Sequence, residues 1–115
     1  MKVTHFQDAR PYEAPNHHAM RALRLQGFEA GGPAQFWTGL SHFLPGGGAG
    51  PDSSPLEKVY VVLAGELRVR AGGQDVVLGP LDSCCIPGGE MREVLNTGNQ
   101  VASMLVVMPY PEARS

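Results

Sequence analysis

Two stretches decide how this chain folds: Pro45–Gly65, PGGGAGPDSSPLEKVYVVLAG, and Leu81–Asn96, LDSCCIPGGEMREVLN. Each joins a cluster of turn formers to short apolar or β-branched runs. Gly46 to Gly48 and Pro51 to Pro55 lead into Lys58–Leu63, while Pro87-Gly88-Gly89 separates Asp82–Ile86 from Arg92–Leu95. Glycine supplies positive φ at no steric cost and proline fixes φ, so these clusters mark reversals between extended segments. The nearly continuous apolar run Lys58–Leu63 predicts a strand covered on both faces.

The same punctuation extends in both directions. Glu66–Arg70 and Gln74–Leu78 flank Ala71-Gly72-Gly73, a hairpin signal. Val101–Met108 follows the turn Asn96-Thr97-Gly98-Asn99 and is stopped by Pro109 and Pro111. Upstream lie Met20–Gln26 and a longer strand, Phe36–Leu44, ending at Pro45. Residues 1–19, with Pro11, Pro15 and the pair His17-His18, read as an N-terminal arm with a short strand at Val3 to Phe6. A single barrel domain over 20–110 and a short tail, 111–115, complete the expected organisation. No segment of the core combines a helical period with caps, so the expected class is all-β.

At 115 residues the chain is long enough for one core and too short for two. Its 15 glycines and 10 prolines show no collagen period and suit many short strands joined by tight turns. A formal net charge of −2 argues against nucleic acid, which selects a basic face. No apolar run approaches a membrane span, and MKVTHFQDAR lacks the apolar stretch of a signal peptide. No membrane partner is expected, and the expected location is cytoplasmic. The only cysteines, Cys84 and Cys85, are adjacent. Their Cα atoms stand about 3.8 Å apart, too close for an ordinary disulfide, so reduced thiols are expected.

The spacing within the two opening stretches resembles the paired signature motifs of the cupin superfamily. The first family motif reads G-x5-H-x-H-x3-E-x6-G. Gly46 and Gly65 hold its ends, and Asp52, Ser54 and Lys58 fall on the ligand slots. The second reads G-x5-P-x-G-x2-H-x3-N. Pro87, Gly89 and Asn96 match, Leu81 replaces the leading glycine, and Arg92 takes the histidine slot. The resemblance implies a double-stranded β-helix, or jelly-roll barrel, and a homodimer to which the N-terminal arm contributes.

In the family, three imidazoles and a carboxylate hold one divalent metal inside the barrel. Here protonated lysine and arginine offer donors rather than lone pairs, serine is a poor neutral ligand, and Asp52 alone is suitable. No cofactor is therefore expected at the family site. A displaced divalent metal would have to draw on His42, His17 or His18 with Glu57 or Asp52, Glu57 reaching inward through a β-bulge.

If the slots keep their inward direction, Asp52, Ser54, Lys58 and Arg92 converge. One carboxylate against two cations leaves an unmatched positive charge, which an anionic ligand would balance. The alternative is a closed ion network among Asp52, Lys58 and Arg92 that binds nothing. The candidate ligand-binding residues are thus Asp52, Ser54, Lys58, Arg92 and His42, with a small polar or anionic metabolite as partner. The alternative function is a small cupin enzyme of isomerase, lyase or decarboxylase type. In that case Lys58 would act as base and Arg92 would stabilise a developing oxyanion. A third class, a regulatory module, would need a partner protein. One of Cys84 and Cys85 should face inward, as a core residue or, near the two cations, as a nucleophile.

Overall fold

The computed structural model describes residues 1–111; the expected tail beyond Pro111 lies outside the described residues. Among the described residues nine strands run in chain order: β1 (Arg10–Tyr12), β2 (His17–Gln26), β3 (Phe36–Asp52), β4 (Lys58–Ala64), β5 (Leu67–Ala71), β6 (Gln74–Leu78), β7 (Ser83–Ile86), β8 (Arg92–Leu95) and β9 (Ala102–Pro109). The only helical pieces among the described residues are single 3-10 turns at Phe6–Asp8 and Phe28–Ala30. The pairings are antiparallel, in the order β6-β5-β8-β3-β9-β4-β7, with β2 beside β3 and β1 beside β2. This is the expected all-β jelly-roll barrel.

β3 joins the two halves of the barrel. Its first part, Phe36 to Phe43, pairs with β9, and its last part, Gly48 to Asp52, pairs with β8. The strand expected to end at Pro45 therefore continues to Asp52. Proline cannot donate to a ladder, but Pro45 lies where β3 has left β9 and not yet met β8, so no bond is forfeited. Gly46, at φ +83°, turns the backbone there and donates to the Asn96 carbonyl at 2.9 Å. Asn96 secures the bend in return. Its Nδ2 donates to the carbonyls of Phe43 (2.9 Å) and Gln100 (2.8 Å), and its Oδ1 accepts from Gly98 N–H at 3.0 Å. Asn96→Ala would strand the buried Phe43 carbonyl and should cost about 1–3 kcal/mol, read as a lower urea midpoint with unchanged m-value.

Alternation sorts the strand residues by face. Trp37, Phe43, Tyr60, Val62, Leu67, Val69, Ile86, Val94, Ala102, Met104 and Val106 form the core inside the barrel. Burying side chains of this kind is worth about 1.5–3 kcal/mol each and is the main force holding the walls together. The run Lys58–Leu63 is not covered on both faces as expected. Lys58, Tyr60 and Val62 point inward, while Val59 and Leu63 are 37% and 44% exposed on the outer face. Its apolar outer residues hid the alternation.

The N-terminal segment also differs from expectation. Val3 to Phe6 is not a strand. Arg10–Tyr12 is, and it pairs with Leu23 and its neighbours on β2. The strand after it begins at His17, inside the segment read as an arm. Asn16 fixes this entry to the bend of β3, donating from Nδ2 to Pro51 O at 2.9 Å and accepting from Gly50 N–H at 2.8 Å.

Candidate functional site

The strand registers bring the motif positions to one end of the barrel. Lys58 stands opposite Ile86 across β4–β7, and Asp52 opposite Arg92 across β3–β8. Asp52, Ser54, Lys58 and Arg92 line a cavity of about 400 Å³. Glu13 and Pro15, from the connection between β1 and β2, and His17, the first residue of β2, line the same cavity. A volume in this range suits a small metabolite.

Lys58 is 3% exposed and Arg92 9% exposed. Lys58 Nζ donates to the neutral Ser54 Oγ at 3.2 Å, and Asp52 Oδ1 accepts from Ser53 N–H at 2.8 Å. Among the described residues, neither cation has a carboxylate oxygen within 4.0 Å; the ion pairs involve Arg24, Arg68 and Arg70. Among the described residues, Arg92 Nε and Nη1 are buried without a hydrogen-bond partner. The closed network of Asp52, Lys58 and Arg92 is thus not formed, and unmet donor capacity is concentrated here.

These charges perturb their neighbours. Burial pushes the Lys58 ammonium below the ordinary lysine range, Arg92 adds to the effect, and Asp52 opposes it. Burial raises the Tyr60 phenol to about 12 against the pull of the Arg92 guanidinium beside it. His17 is lowered chiefly by burial. Its Nδ1 lies 2.7 Å from the Pro15 carbonyl, which fixes the proton on Nδ1 and leaves Nε2 as the acceptor.

The other candidates are dispersed. His42 points away from the cavity, since Ser41 and Phe43 take the inward phase of β3. Its Nδ1 lies 2.7 Å from Ser103 Oγ, and the Phe6 ring meets it edge-on. Glu57 is exposed, and His18 lines a separate surface groove beside β1. Of the residues named for a displaced metal centre, only His17 and Asp52 share the cavity. The four family slots carry two cations, a hydroxyl and one carboxylate, a donor set that does not fit a divalent metal. No group of three or more His, Cys, Asp or Glu able to hold one gathers among the described residues. Cys84 packs against the core and Cys85 is exposed. Burial pushes the Cys84 thiol up, opposite to the shift a nucleophile needs.

The motif spacing did not reveal the far side of the cavity, where Tyr12, Arg24, Phe28 and Trp37 meet. Arg24 Cζ lies 3.7 Å from the centre of the Tyr12 ring, 4.3 Å from Phe28 and 4.8 Å from Trp37. All four residues precede the barrel motifs, and no local pattern announces their meeting. Tyr60 was more legible: it lies two residues after Lys58 and so shares its face.

The cavity and fold can be compared with known proteins. A chain of Mycobacterium tuberculosis named β-D-galactosidase Rv1717 is 46% identical over 113 residues, covering 98% of this chain and 97% of its own length. The polyketide cyclase RemF of Streptomyces resistomycificus superposes with a TM-score of 0.83 at 24% identity, over 95% of this chain and 79% of its own. A cupin sugar phosphate isomerase of Silicibacter pomeroyi gives 0.79 at 20% identity, over 96% and 76%. At these identities the two structures speak for the fold alone. The family model of the cupin domain matches residues 39–108, from the inward face of β3 to the end of β9. The chain belongs to the cupin family.

Proposed function

We propose that the barrel binds a small polar or anionic metabolite through Arg92 and Lys58, without the metal of other cupins. One observation carries this: among the described residues, two nearly buried cations face a cavity without a carboxylate partner. Leaving a buried guanidinium donor unsatisfied costs about 1–3 kcal/mol or more, and a ligand oxyanion removes that cost. Ser54 and Tyr60 supply neutral polar contacts, and His17 and Glu13 stand at the entrance. The test is a calorimetric screen of small carboxylates against the wild type and Arg92→Gln. Binding that weakens about 10–100-fold in the variant is the expected result. Equal affinity in both proteins would refute it.

A second reading is favoured by the 46% identity to the chain named as a β-D-galactosidase. Glycoside hydrolysis needs two carboxyl groups about the scissile bond, and Asp52 and Glu13 both line the cavity. One would protonate the departing oxygen as the glycosidic C–O bond breaks. The other would assist the water that supplies the new anomeric hydroxyl. Purified protein should then release nitrophenol from 4-nitrophenyl β-D-galactoside, and Asp52→Asn should lower the rate at least a hundredfold. Absence of turnover in the wild type would leave the binding function alone.

The exposed Val59 and Leu63 on the outer face of β4 fit pairing with a second copy. Light scattering should give twice the monomer mass, and Leu63→Glu should restore the monomer.

A further inference from the structure

We infer that the cavity is built for a carboxylate carried on a flat apolar body, an aryl or α,β-unsaturated acid, rather than for a compact hydroxyl-rich anion. This rests on the anion site proposed above and adds the class of ligand to it.

The cavity has two unlike walls. Lys58, Arg92 and Asp52 make one, where charge and unmet donors concentrate. Tyr12, Phe28 and Trp37 make the other, and Met104, Val106 and Met108 of β9 extend it. The rings are held in fixed mutual geometry. Tyr12 meets Trp37 edge-on at 5.9 Å and 87°, and Phe28 meets it at 5.6 Å and 57°. Arg24 lies within 3.7–4.8 Å of all three ring centres and is tied to Glu29 at 3.5 Å. The guanidinium acts as a positioning residue: it binds the π faces and keeps the three rings together.

Space for the ligand body comes from small side chains. Gly39 lets the aromatic wall close up, since a Cβ built there would lie 2.9 Å from Trp37 Cζ3 and 3.0 Å from the Tyr12 hydroxyl. Ser41 and Ala49 are likewise small inward positions on β3, and both line the cavity. A ring entering here stacks on aromatic and thioether surface while its carboxylate reaches the cationic wall. A compact polyol acid would lose water from its hydroxyls against that surface and find few partners there.

Four probes test this by calorimetry on the full chain: cinnamate, its neutral isostere cinnamamide, galacturonate and methyl β-galactoside. Cinnamate should bind at least tenfold more tightly than each of the others. Arg92→Gln should weaken cinnamate and galacturonate alike. Ser41→Leu, which fills the body space without changing charge, should weaken cinnamate at least tenfold and spare galacturonate. Circular dichroism of both variants checks that the barrel is intact. Galacturonate binding as tightly as cinnamate would overturn the apolar wall while the anion site stands, as would cinnamate binding that ignores Ser41→Leu. Binding of the neutral galactoside alone, or of no probe at millimolar concentration, would overturn both.

Discussion

Lys58→Met should make the ligand-free protein more stable while weakening anion binding. Truncating one partner of a buried ion pair ordinarily destabilises by about 3–5 kcal/mol, because it leaves the other charge unpaired. Among the described residues Lys58 has no carboxylate oxygen within 4.0 Å; its partner is the neutral Ser54 hydroxyl. Methionine keeps most of the chain length and removes a charge that burial and Arg92 both disfavour. A gain of about 1–3 kcal/mol in urea unfolding is expected, with affinity for an anionic ligand falling about 10–100-fold. The sign is decisive. A loss of stability of the size given above would mean that Lys58 belongs to a closed ion network after all.

The same residue predicts a pH dependence. The folded value of Lys58 lies below its unfolded value of 10.5, so between the two the unfolded chain binds more protons. Stability should therefore rise with pH through that window, and Lys58→Met should flatten the rise.

Tyr60 works in the opposite direction at higher pH and gives the second large effect. Its phenol is raised from 10.0 to about 12 by burial, with the residue only 4% exposed. A raised folded value contributes stability that is fully present below the unfolded value and lost as pH climbs through the folded one. About two pK units correspond to about 2.7 kcal/mol, so unfolding free energy should fall by about 2–3 kcal/mol between pH 10 and 12. Tyr60→Phe cannot ionise and should lose this slope while keeping the ring packing. Denaturant titrations of both proteins at pH 9, 10, 11 and 12 would read it directly. An unchanged slope in Tyr60→Phe would place the alkaline transition on another group.

The architecture was legible because its punctuation is local. Pro87, Gly89 and Asn96 mark the second turn system, and Ala71-Gly72-Gly73 produces the β5–β6 hairpin as read. Pro45 misled because a missing N–H matters only where a ladder bond would form, and the pairing of β3 changes there. The charged wall followed from spacing plus strand alternation, which brought Asp52, Ser54, Lys58 and Arg92 to one cavity. His42 was one residue out of phase, since Phe43 takes the inward position. The aromatic wall was not legible. Tyr12, Arg24 and Phe28 reach Trp37 only through the pairing of β1 with β2 and β2 with β3, contacts that no single segment encodes.

The small inward residues of β3 have a consequence for how such a barrel diversifies. Room inside is governed by Ser41 and Ala49, whereas the cations sit on β4 and β8. Under the proposed function, ligand size and ligand charge are therefore separate dials on separate strands. A substitution at Ser41 can exclude a bulkier guest without touching the electrostatics, and one at Arg92 can invert charge preference without changing the bore. Selectivity can then shift one step at a time, each through a protein that still folds.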